Sequence, residues 1–266
     1  MSVNWRTICS LGVISALLVL PAPAAGQDAD ELAKQTQNPV ASLISVPLQG
    51  NWDFGLGDRD AVGTLLNVQP VMPFGISKDT NIILRIIMPL ASQPAPDGTA
   101  RLNGLGDIVA TAFFSPAKSG RIIWGVGPVF LLPAATNSSL GSEKLGIGPS
   151  VVALAQPGPW TAGILFNQIW SVSGANDRDD VNSTYLQPFL NYNLGGGLSA
   201  GVSVEASANW EADETWTAPL LFNISKVTLL GKRPVSFALA AGPTIANPEA
   251  GASWRFRLAA TFLFPR

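Results

Sequence analysis

The chain has no histidine, and its one cysteine, Cys9, lies in an apolar stretch near the N-terminus. Without histidine there is no Ser-His-Asp triad, no ordinary general base, and most zinc sites are excluded. A single cysteine excludes an internal disulfide and a thiolate metal centre. Charge is scarce as well: 13% of the 266 residues are charged, about half the usual share. The net charge of −2 comes with no basic cluster, which argues against nucleic acid as a partner. Beyond the N-terminus no apolar run reaches the ~18 residues of a membrane-spanning helix. Yet hydrophobic residues make up 47% of the chain and the mean hydropathy is positive. Hydrophobicity spread over alternate residues reconciles these facts, and that is the pattern of a transmembrane β-barrel.

The N-terminus reads as an export signal over residues 1–26. Arg6 supplies positive charge, residues 8–20 form the apolar core, and the small residues of 21–26 offer cleavage after Ala24 or Gly26. The apolar core is too short to span a bilayer comfortably, and Cys9 is misplaced for lipid attachment. Its removal leaves a mature chain without cysteine, hence without a thiol nucleophile. In residues 27–40, Asp28, Asp30 and Glu31 precede Lys34, which suits a short helix with a complemented dipole. This segment either plugs the barrel or leads into the first strand, and the lead-in is the simpler reading.

Residues 41–266 read as one antiparallel transmembrane barrel of about 12 strands. The strands are expected at 41–54, 62–74, 80–91, 105–115, 121–133, 144–155, 160–172, 183–194, 198–210, 215–226, 234–244 and 253–264. The last alternates most clearly. Trp254, Phe256, Leu258, Ala260, Phe262 and Phe264 share one face, opposite Arg255, Arg257, Ala259 and Thr261, with Leu263 the one apolar exception. Connections alternate between tight turns, such as Gly195 to Gly197, and longer polar loops, such as 174–180. The ninth, 211–214, is shorter than this alternation wants, and the tenth, 228–233, longer. The tryptophans Trp52, Trp124, Trp160, Trp170, Trp210, Trp216 and Trp254 fall near strand ends, as in an interfacial girdle. Against this, Pro47, Pro70, Pro89, Pro128, Pro149, Pro188, Pro219 and Pro243 lie inside expected strands, where proline marks bulges or kinks. A half-buried soluble sandwich or a lipocalin-like export is the alternative fold.

Several stretches together resemble a known family: residues 38–49 with 51–54, 66–71, 104–108, 124–130 and 186–192. The chain is similar to the bacterial outer-membrane proteins grouped with the meta-pathway phenol-degradation transporters, some of which carry the misleading label neuromedin U. The resemblance implies a barrel distantly similar to the long-chain fatty-acid transporters, with uptake of hydrophobic or aromatic compounds. It supplies no binding residues.

Alternation assigns the lumen candidates Gln49, Asn51, Asp53, Arg85, Asp107, Gln187, Glu205, Arg255 and Arg257. It also turns Ile87, Val129, Leu131 and Leu221 inward. Twelve strands lie between a filled barrel and a wide pore, giving a narrow passage or lined tunnel, across which Arg85, Arg255 and Arg257 could pair with Asp107 and Glu205. Asp177, Asp179 and Asp180 read as a solvated loop rather than a calcium or lipopolysaccharide-bridging site. No cofactor, catalytic group or metal ligand is expected. Two readings follow: a monomeric bacterial outer-membrane channel for small hydrophobic or aromatic solutes, or a sealed structural barrel for envelope integrity or surface contact. Outer-membrane lipid, lipopolysaccharide and a small-molecule solute are the expected partners. Proline-marked bulges further suggest a gap for sideways release into the bilayer.

Overall fold

The computed structural model describes residues 23–95, 100–118, 120–213 and 215–265. Cys9 and most of the expected export signal lie outside them. Sixteen ladder segments form one closed antiparallel sheet. Four strands are each broken once, so the barrel has twelve.

In chain order the strands are β1 (Ile44–Leu56), β2 (Ala61–Val68 and Val71–Gly75), β3 (Thr80–Pro94) and β4 (Arg101–Leu105 and Ile108–Pro116). Next come β5 (Ile123–Leu132), β6 (Lys144–Ala155), β7 (Trp160–Gly174) and β8 (Asn182–Gly195). The last four are β9 (Leu198–Val204 and Ala206–Asn209), β10 (Trp216–Thr217 and Leu220–Leu230), β11 (Arg233–Pro243) and β12 (Trp254–Phe264). Each pairs with the next. The cylinder closes where β12 meets β1, in register from Ile44 opposite Phe264 to Phe54 opposite Trp254.

The connections differ in part from the expected alternation. β10 and β11 run on to a tight turn at Gly231 and Lys232, which removes the long tenth connection. Gly231 has φ +65, a conformation that glycine adopts without strain. The first connection, expected to be long, is only 57–60, because β1 continues to Leu56. Both termini of the barrel lie at the tight-turn end. Trp124 and Trp160 ring that end, while Trp52, Trp170, Trp210, Trp216 and Trp254 ring the other. All but Trp52 are exposed. Trp52 instead folds its ring over Gly50, where a Cβ would come within 2.9 Å of it.

The prolines open no seam. Pro70 and Pro219 do sit at strand breaks, as bulges would. Pro47, Pro89, Pro128, Pro149 and Pro188 remain in register with Thr261, Asn67, each other and Ile164. Their carbonyls still serve the ladder: Pro47 O accepts from Gln69 N and Pro89 O from Gly106 N. Pairing runs around the whole cylinder, so the expected wall gap is absent among the described residues. Neighbouring strands instead approach most closely at glycines. A Cβ on Gly127 would lie 1.8 Å from Ala112 O, and one on Gly148 1.8 Å from Gln168 O.

The N-terminal segment does more than lead in. Helix α1 (Pro23–Thr36) ends as Thr36 Oγ1 bonds Ala33 O, with Pro39 just beyond. The chain then crosses the tight-turn mouth. Leu263, the apolar exception on β12, is 1% exposed, packed with Ala33, Ala41, Leu43 and Val227. Val40 reaches the opposite wall and packs with Ile83, Phe113, Val152, Leu154 and Leu165. Polar side chains fix the crossing: Gln37 Nε2 donates to Asn193 Oδ1 (2.9 Å) and Ser199 Oγ (3.0 Å), and Gln156 Nε2 to Lys34 O (2.9 Å).

Candidate functional site in the barrel lumen

Two cavities lie inside the cylinder formed by the described residues. The inner one, about 300 Å³, is walled partly by the N-terminal segment, including Gln37, Asn38 and Pro39. The outer one, about 400 Å³, faces the longer loops. Gln49, Gln69, Arg85, Gln187 and Arg257 line both, and so form the waist between them.

Arginine and carboxylate chemistry is concentrated at and just above this waist. The β12 alternation turns Arg255 and Arg257 inward. Arg257 forks onto Glu205 with both terminal nitrogens at 2.6 Å, while its Nε donates to Asn51 Oδ1 at 2.7 Å. Arg255 forks onto Asp53 at 2.6 and 2.9 Å and reaches Glu205 more weakly, at 3.4 Å. Gln187 Nε2 donates to Glu205 Oε1 at 3.3 Å. The four charged side chains are largely shielded, between 10% and 20% exposed. Bidentate, charge-assisted bonds in such a setting hold geometry firmly.

Two proline breaks supply the positions that regular strands could not. Glu205 stands between the two pieces of β9, its backbone N bonded to Pro219 O at the matching break in β10. Gln69 precedes Pro70 at the break in β2 and accepts from Arg85 Nη2 at 3.0 Å. Beside Arg85, on the same part of the wall, runs an apolar row. Ile87 pairs across to Val109 and Val109 to Leu131, one row outward of Arg85.

Of the sequence candidates, the structure gathers Gln49, Asn51, Arg85, Gln187, Glu205, Arg255 and Arg257 around the outer cavity, with Asp53 behind Arg255. Asp107 goes elsewhere. Its carboxylate accepts from Ala135 N and from Ser142 N and Oγ, tying down the loop after β5, and it meets no arginine. The expected pairing of Arg85 with Asp107 or Glu205 is also absent: among the described residues Arg85 has no ion pair. Sequence reasoning missed the part of Tyr185, which lines the outer cavity. The period of β8, with Gln187 two residues on, was the available signal. Among the described residues no group of three His, Cys, Asp or Glu could hold a metal. Asp180 is tied to Lys144 at 3.0 Å, and that contact, with the Ser171 hydroxyl, holds its carboxyl below the usual range.

This architecture recurs in solved structures. An outer membrane channel from Pseudomonas putida F1 superposes with TM-score 0.62 at 12% identity, covering 84% of this chain and 94% of that one. The NanC porin gives TM-score 0.53 at 10% identity, covering 82% and 98%. Outer membrane phospholipase A from Escherichia coli gives 0.47 at 11% identity, covering 89% and 96%. The likeness is one of fold. No family model matches the sequence, and no curated protein does.

Proposed function

We propose that the protein is a channel of the bacterial outer membrane that passes small hydrophobic or aromatic solutes without converting them. One observation carries this reading: two cavities meet at a polar, charged waist, and an apolar row, Ile87, Val109 and Leu131, lines the outer cavity beside it. A sealed lumen has no need of such an arrangement. The fold likeness to outer membrane channels and the sequence resemblance to the phenol-degradation group support it. In this reading residues 1–26 are a removed leader, and the barrel is a monomer surrounded by lipid and lipopolysaccharide. In this reading it performs no catalysis, and a chain without histidine lacks the usual base of a serine hydrolase. Residues 27–40 act as a stopper on the periplasmic side. Uptake by a deletion strain and planar-bilayer recording of the purified protein test the reading. Solute-dependent uptake and measurable current are expected; no current and unchanged uptake across a broad solute panel would refute it.

The sealed-barrel alternative has its own observation, the Val40 cluster packed across the mouth. Replacing Arg255 and Arg257 together by Ala separates the two. A channel changes its ion selectivity, whereas a sealed barrel begins to leak.

A further inference from the structure

Arg85 differs from the other two lumen arginines. Arg255 and Arg257 each spend their guanidinium on a carboxylate, whereas the one side-chain bond of Arg85 among the described residues goes to the neutral amide of Gln69. A guanidinium carries five N–H donors, so most of its capacity is open. The surrounding charges do not cancel it: Arg85, Arg255 and Arg257 stand against Asp53 and Glu205, an excess of one positive charge at the waist. Arg85 lines both cavities. One strand row outward, roughly 7 Å away, Ile87, Val109 and Leu131 form a continuous apolar patch. An outer cavity of about 400 Å³ is within the range that small ligands occupy.

We propose that Arg85 is the carboxylate-binding site for a small organic monoanion whose apolar body, an aromatic ring or a short branched chain, lies against the Ile87–Val109–Leu131 row. The site rests on the channel reading only for its purpose; its chemistry stands without it. A planar carboxylate matches the guanidinium fork, and Gln49 and Gln187 on the same waist can donate to its free oxygen lone pairs. A neutral solute of the same shape keeps the apolar contact and loses the charge. A dianion finds one unpaired cation only. The waist would therefore select by charge and by greasiness together.

Benzoate and its neutral isostere benzamide are the probes, titrated calorimetrically into the full-length mature protein in detergent, with the folded barrel checked by its heat-dependent electrophoretic mobility. Benzoate is expected to bind at least tenfold more tightly than benzamide. In Arg85→Gln that preference is lost, and in Arg85→Lys it is partly kept. Glu205→Gln, which frees Arg257, strengthens benzoate binding and serves if Arg85→Gln does not fold. Equal binding of the two probes, binding of neither, or an unchanged preference in Arg85→Gln overturns the proposal. Bilayer current from the same preparation keeps the two readings apart. Current without benzoate preference removes the site and leaves the channel; preference without current removes the channel and leaves the site.

Discussion

Glu205 holds Arg257 by two bonds and touches Arg255 with a third, so its removal strands charge in a shielded place. Truncating one partner of a buried ion pair commonly costs about 3–5 kcal/mol. Arg257 keeps Asn51 and Arg255 keeps Asp53, so the loss here should fall near the lower bound. Glu205→Ala is expected to lower the unfolding free energy in detergent by about 3 kcal/mol, measured by urea titration; no change would mean the pair is solvated. The sign on transport is separate. Glu205→Gln and Arg85→Gln alter the lumen charge in opposite directions, so reversal potentials in a salt gradient should move oppositely, the first toward anions and the second toward cations. A shift in one direction for both would contradict the charge account. The lumen should also ignore mild pH change. With no histidine in the chain, no side chain has an ordinary pKa between about 5 and 8, so selectivity should be flat across that span. A sigmoidal change there would show a group this account omits.

Among elements, the N-terminal segment is the one that local sequence described least. Its charge order suggested a helix, and a helix is present, but docking depends on residues far along the chain. The trace was there: Leu263 broke the polar face of β12, and Val227 does the same on β10, both beneath the segment. On β12 the polar inward face is interrupted only at the end beneath the segment, which marks a covered face, yet alternation alone could not name the cover. Leu263→Asp should undock the helix, since a carboxylate cannot be buried among Ala33, Leu43 and Val227 without large cost. Faster proteolysis within residues 27–40 would report it, and unchanged protection would contradict the docking. The glycine crimps are equally specific. Gly127→Val drives a side chain into Ala112 O and should block barrel closure, seen as loss of heat-modifiable mobility.

For the whole molecule, strand number, order and inward face were legible because lipid imposes a strict period of two on every stave. Strand ends were less so: β3 runs on to Pro94 and β10 to Leu230, because ladder pairing continues beyond the ends that turn residues suggested. Glu205 was readable as an inward residue, but its exact placement depends on its own break meeting the one at Pro219, and that of Gln69 on the break at Pro70, which no single strand announces. The prolines that seemed to weigh against a barrel thus include two that shape its waist. The central claim is a passage through the lumen narrowed at its inner mouth by residues 27–40. Single-channel current across a planar bilayer, compared between the mature chain and a variant lacking 27–40, tests it most directly. Small, brief openings in the intact protein and a larger, steady conductance in the deletion are expected; two silent proteins, or equal conductance in both, would contradict it.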